Sequence, residues 1–197
     1  MGRPLGAKAG LVYGFGITDI PTRENYVEFA FYRAWYSLIR RVYGAKQLAR
    51  NPTYIGCSVD PRWQKLSNFK KWFDKNYIRG YELDKDINVP GNKVYVPDTC
   101  CYVPQELNKL FTDSAAARGK YPQGVSLYRK SGKFHAQIKM YGKVTHIGYF
   151  DDAGSAHAAW LSAKRNYIKE VVQKLLKEKR ITRKLYNATI AKGKSLV

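Results

Sequence analysis

The sequence predicts an α+β protein: a C-terminal three-stranded antiparallel sheet packed on one long helix, preceded by a mainly helical module with a short hairpin and helix. Three observations carry this expectation. Residues 133–140 alternate strictly between polar and apolar side chains, the period of a half-buried strand. Shorter strand-like stretches lie on either side, each separated from it by a turn containing glycine. Upstream, apolar residues recur at helical spacing in two segments, as amphipathic helices require.

Residues 1–23 are rich in Gly and Pro and carry no helical period, so an irregular basic arm is expected. Over 24–43, Phe31, Trp35, Leu38 and Val42 form an apolar stripe, while Arg33, Ser37, Arg40 and Arg41 take the other faces. Residues 51–59 read as an extended connection. A second helix is expected over 67–77, where Phe69, Trp72 and Phe73 follow Leu66 among Lys65, Lys70, Lys71 and Lys75. Pro90-Gly91-Asn92 supplies turn chemistry between 83–87 and 94–96, which predicts a hairpin, and Pro104 suits the first turn of a helix reaching residue 111. Small and polar residues mark 112–120 as a linker.

Within 133–140, Phe134, Ala136, Ile138 and Met140 share one face and Lys133, His135, Gln137 and Lys139 the other. Residues 124–128 form the preceding strand across a turn at Lys130-Ser131-Gly132. Residues 144–150 form the following one across Tyr141-Gly142-Lys143. So small a sheet must cover its apolar face. The cover is a helix from Asp152 whose face carries Ala153, Ala156, Ala159 and Ala163 with Trp160 and Tyr167, and Asp151 or Asp152 is the expected N-cap. The domain reading is 1–23 arm, 24–111 helical module, 112–120 linker, 121–180 sheet domain and 181–197 basic tail.

Lys and Arg number 35 against 15 Asp and Glu, a formal charge of +20 in 197 residues. A folded chain with this much self-repulsion points to a polyanionic partner, nucleic acid first. No stretch is long and apolar enough for a membrane span, and residues 1–6 match neither a signal peptide nor a myristoylation site; a cytoplasmic protein without membrane contact is expected. Cys57, Cys100 and Cys101 contain no C-x-x-C pair, so reduced thiols are expected rather than a disulfide framework or a four-cysteine zinc site. His135, His146 and His157 are the only histidines, and no two share an element at metal-ligand spacing. No metal or cofactor is expected.

Gly124-Val125, Gly132-Lys133-Phe134-x-Ala136-x-Ile138 and Ile147-Gly148-x-Phe150-x-x-Ala153-x-x-Ala156-x-x-Ala159-Trp160 together resemble the Apetala-two or ethylene-response-factor DNA-binding domain, in its bacterial and bacteriophage style. The resemblance covers about 121–167. It implies a sheet placed in the major groove of double-stranded DNA with the helix behind. It also implies contacts from Gln123, Ser126 and Tyr128 on the first strand, Gln137 and Lys139 on the second, and His146 and Tyr149 on the third. Lys130, Lys133, His135 and Lys143 complete the candidate DNA-binding set. Alternation independently places Gln137 and Lys139 on the polar face. Gln137 suits adenine N6 and N7, and Lys139 suits guanine or phosphate. Ser126, Tyr128 and His146 stand where plant members carry arginine or tryptophan, so the usual target sequence does not transfer. A regulatory or accessory role, with a host or phage protein as a further partner, is the expectation.

Further upstream, Trp35, Trp63, Asn68-Phe69-x-x-Trp72, the Asp84-Lys85-Asp86 run and Tyr95-x-Pro97-x-x-Cys100 resemble bacteriophage proteins grouped with H-N-H homing endonucleases. The hairpin-helix of 83–111 would be a degenerate ββα metal motif. That chemistry uses a histidine base and a bound metal, yet no histidine precedes His135 and Lys85 stands near the base position. Asp84, Asp86, Asn92 and Asp98 could still hold magnesium with Lys85 near the leaving phosphate. A non-enzymatic DNA-binding protein is therefore the first expectation, and a magnesium-dependent endonuclease carried by Asp84, Lys85, Asp86 and Asn92 the alternative.

Overall fold

Helix α1 (Ala30–Tyr43) buries the expected stripe at Trp35, Leu38 and Val42, and adds Ile39, which lies beside Leu38 and Val42 on the helical wheel. The structure, a computed structural model, describes residues 10–20, 29–112 and 120–197; the predicted helical residues 24–28 and the Gly2-Arg3-Pro4 end of the predicted arm lie outside these. The chain divides into two compact units, 1–103 and 104–197. The division precedes the expected linker at 112–120, so the helix anticipated after Pro104 falls in the second unit.

In the first unit, α1 ends at Gly44, where extended backbone (φ −80°, ψ 109°) turns the chain into a further helix, α2 (Ala45–Arg50), in a stretch where no element is expected from sequence. A Cβ at Gly44 would stand 2.5 Å from the Arg40 carbonyl oxygen, so the close approach needs glycine. The expected extended connection over 51–59 is mostly turn: Pro52–Tyr54 make a 3-10 turn, which proline's fixed φ favours, and only β1 (Ser58–Val59) is strand. Helix α3 (Leu66–Asn76) matches its expected span and buries Leu66, Phe69 and Phe73.

Trp35 and Trp63 sit at the centre of this core. The Trp35 indole Nε1–H donates to the Trp63 carbonyl at 2.8 Å, and the Trp63 ring meets Phe69 edge to face with centroids 5.1 Å apart. Residues 10–20 correct the arm reading. Ile17 bridges to Lys65, Phe15 and Ile20 pack against the core, and the Asp19 carboxylate accepts from the Ser67 N–H and hydroxyl, because the apolar side chains of this lead-in have a core to enter.

The hairpin predicted over 83–96 does not form. Strand β2 (Tyr81–Asp84) pairs with β4 (Cys101–Pro104), and β3 (Val94–Tyr95) pairs in parallel with β1. The cause is local. Asp84 Oδ1 accepts the N–H groups of Asp86 (2.9 Å) and Ile87 (2.7 Å), turning the chain at the end of β2, and Ile87 is buried. Asn92 then donates to the carbonyls of Lys85 and Val94, each at 2.8 Å, and locks the loop in a shape that no two-stranded ladder shares. Strand β2 therefore has β4 as its partner, with 85–100 as the loop between them, instead of 83–87 pairing with 94–96. All three cysteines are free thiols, and burial pushes that of Cys100 up to about 12.

The second unit opens with α4 (Gln105–Lys109) and holds the predicted antiparallel sheet in the order β5 (Val125–Tyr128), β6 (Lys133–Met140), β7 (Lys143–Phe150). Helix α5 (Ala153–Lys177) covers one face, with Ala156 and Trp160 buried against it, and the Asp152 carboxylate caps its start by accepting from the Ser155 N–H at 2.8 Å. Gly124 explains how sheet and helix meet. It has φ +81°, and a Cβ there would lie 2.0 Å from Cδ1 of Trp160. The expected tail at 181–197 is corrected: it contains α6 (Arg183–Lys194), capped by Thr182, whose Leu185, Thr189 and Gly193 are buried, with the backbone close enough to α5 that a Cβ at Gly193 would press on Ile168. The basic residues there mask a helical pattern of small and apolar side chains.

Candidate nucleic-acid interface

The register of the sheet defines its uncovered face. Ser126 opposes His135 and Tyr128 opposes Lys133 across β5 and β6; His135 opposes Tyr149 and Gln137 opposes His146 across β6 and β7. Opposed residues share a face, so Ser126, Tyr128, Lys133, His135, Gln137, Lys139, His146 and Tyr149 all lie on the side away from α5. On the other side Val125, Ala136 and Ile138 are buried.

His146 and Tyr149 are three residues apart, which in a regular strand would put them on opposite faces. A β-bulge reconciles them. The register shifts between Ala136 and Gln137, because Ala136 pairs with Gly148 and Gln137 with His146, leaving Ile147 as an extra residue that packs against the buried cluster. The Tyr141-Gly142 turn that sets this register has positive φ at both residues, 48° and 81°, the pattern of a type I′ hairpin turn. The α5 helix holds its strained tyrosine, for the Tyr141 N–H donates to the Tyr167 hydroxyl at 3.0 Å and the Tyr141 hydroxyl to Glu170 Oε1 at 2.8 Å.

At the centre of the face four rings touch. His135 stacks on Tyr149 with centroids 5.1 Å apart, Tyr128 lies 5.2 Å from Tyr149, and His135 Nε2 and His146 Nδ1 are 2.6 Å apart, one donating to the other. That hydrogen bond requires an unprotonated nitrogen. Burial, and then the charge of His146, hold the His135 pKa below the ordinary histidine value. Both histidines stand out in the sequence, but their pairing spans two strands and shows in neither strand alone. Counting outward from the two-residue turn would have placed His146 opposite Gln137, one step from His135.

No protein-family model, curated protein or solved structure matches the chain. The likeness to the Apetala-two domain therefore rests on the residues quoted for it.

The remaining candidates are spread around this centre. Lys133 Nζ lies 3.2 Å from Asp151 Oδ1, Lys130 is exposed in the turn between β5 and β6, and Lys139 is exposed beside Val144, a residue sequence reasoning missed on this face. Gln123 is not on the first strand. It precedes β5, and its carbonyl lies 3.0 Å from His157 Nδ1. Lys143 opposes Met140 and so takes the helix-side register, exposed at the end of the hairpin.

The alternative site in the first unit is dispersed into structural work. Asp84 holds the turn after β2, Lys85 pairs with Asp86 at 3.1 Å and lies over the Tyr95 ring, Asn92 ties the loop, and Asp98 pairs with Arg62 at 2.6 Å. Among the described residues, no three His, Cys, Asp or Glu side chains come together as a metal site, and no helix is long and apolar enough to cross a membrane.

Proposed function

We propose that the chain binds double-stranded DNA by laying the uncovered face of β5, β6 and β7 in the major groove, in a regulatory or accessory role. The observation that carries this reading is the face itself: hydrogen-bonding and aromatic side chains at its centre, with Lys130, Lys133 and Lys139 around them, on a chain of formal charge +20. The dimensions agree. Three strands at about 4.8 Å spacing span roughly 10 Å between outer backbones, against a major groove about 12 Å wide. Gln137 can pair with adenine through its amide, Lys139 can reach guanine or a phosphate, and the lysines around them neutralise backbone charge.

Fluorescence anisotropy with labelled duplexes tests the proposal. Affinity should fall with salt at a log-log slope of about −0.9 per neutralised phosphate. Gln137→Ala should relax preference at one base position by about 1–3 kcal/mol, whereas Lys130→Ala should weaken all sequences alike. Binding that is flat in salt, or that ignores Gln137, Lys139 and His146 substitutions, would sink the assignment of this face.

A further inference from the structure

The shortness of β5 leaves part of β6 without a neighbour. Pairing with β5 reaches only Ala136, and the Gly124 carbonyl then takes the Gln137 N–H at 2.9 Å; residues 138–140 pair with β7 alone. Beside this open edge lies a cleft of about 910 Å³ within the second unit. Helix α5 builds one wall, where Trp160, Lys164, Tyr167, Val171, Lys174 and Leu175 recur at helical spacing, and α4 contributes Glu106, Lys109 and Leu110. Helix α4 is tied in place by Glu106, whose two oxygens both accept from Arg180, and by Lys192 over the Phe111 ring.

Lys109, Lys164 and Lys174 line this space, and Lys139, whose side chain takes the outer face of the sheet, borders it. Glu106 is the one carboxylate on the lining, and Arg180 already neutralises it. Lys174 stands 4.0 Å from Glu178, while Lys109, Lys139 and Lys164 have no carboxylate partner among the described residues. Lys164 is half-buried, and burial pushes its ammonium pKa down with no acid to offset it. A fold gains nothing from gathering like charges at a partly desolvated wall. Bound anions remove the conflict, and lysine is a common point-charge ligand of phosphate. The volume is too large for a lone phosphate and lies in the range of organic ligands and cofactors, and Leu110, Ile138 and Val171 supply an apolar floor.

We propose that this cleft binds a phosphorylated small molecule of nucleotide size, with its phosphates among Lys109, Lys164 and Lys174 and its less polar body against Leu110, Ile138 and Val171. The site is separate from the reading of the outer sheet face, and its decisive residue, Lys164, is not part of that face.

Isothermal titration of the full chain with the four ribonucleoside triphosphates, inorganic tripolyphosphate and a short duplex tests it. At least one triphosphate should bind, more tightly than tripolyphosphate, and Lys164→Met should weaken it roughly ten- to a hundredfold, the effect of losing one charge-assisted hydrogen bond. Lys169→Gln, on the exposed side of α5, should leave it unchanged. Lys164→Met should also leave the ligand-free melting temperature unchanged or raise it, because a partnerless half-buried charge is removed. Four outcomes would each overturn the proposal: tripolyphosphate binding equally well, an equal loss in Lys169→Gln, a lowered melting temperature in Lys164→Met, or a Lys164→Met defect confined to the duplex. Retained duplex binding in Lys164→Met, alongside lost triphosphate binding, separates the two sites.

Discussion

Replacing Gly124 with alanine should damage the second unit more than any other single methyl group added to a turn. The residue has φ +81°, and the added Cβ would lie 2.0–2.3 Å from three atoms of the Trp160 ring. Left-handed backbone costs a non-glycine residue about 1–2 kcal/mol, and forcing a close-packed ring aside costs about 1–3 kcal/mol, together about 2–5 kcal/mol. Trp160 is only 4% exposed, so its ring has little room to retreat. Gly132 is the control: its φ is +71° but nothing lies within 4 Å of a Cβ there, so Gly132→Ala should cost the backbone component alone, about 1–2 kcal/mol. Native-state amide exchange reads the second unit directly. Protection of β6 amides should fall roughly thirty- to several-thousand-fold in Gly124→Ala, at a factor of ten per about 1.4 kcal/mol, and much less in Gly132→Ala. Equal losses in the two variants would refute the close approach of sheet and helix.

In the first unit, Trp35→Phe should cost at least about 1–3 kcal/mol in urea unfolding, since the Trp63 carbonyl is left in a buried site without its donor; an unchanged midpoint would show that this bond is replaceable. The histidine pair makes stability depend on pH. The His135 pKa is lowered on folding, so the unfolded chain binds more protons near pH 6, and stability should fall as pH drops from the ordinary histidine value of about 6.5 through the lower folded one. His135→Gln should flatten the melting temperature across that window, and an unaltered profile would exclude the pair as its source. Purified protein should leave supercoiled plasmid intact in magnesium or manganese, because Asp84, Lys85, Asp86 and Asn92 are engaged in holding a loop. Metal-dependent nicking that disappears in Asp86→Ala would establish the endonuclease alternative instead.

The sheet and its covering helix were legible because each obeys one period over a long run. Alternation over 133–140 and small residues spaced along α5 repeat enough times to identify their faces. The loop of 84–99 was not, because its shape comes from side-chain hydrogen bonds of Asp84 and Asn92, which compete with strand pairing and leave no periodic trace. The helical character of 183–194 was hidden by its four basic residues among alanines and a buried glycine. On the candidate site, alternation gave Gln137 and Lys139 their face. The same rule fails across Ile147, where a bulge changes which residues can meet, and the histidine pair falls just at that break.

The same bulge bears on self-association. β7 is an outer strand of its sheet, and an outer strand is a template on which a second copy can add its own backbone hydrogen bonds. A partner strand running along β7 would find four residues in register before Ile147 and three after it, with a kink between. Neither run alone makes a stable new ladder, and Lys143 at the end adds like-charge repulsion between copies. The feature that gathers His146 and Tyr149 on one face thus also keeps this edge from becoming a seed for aggregation.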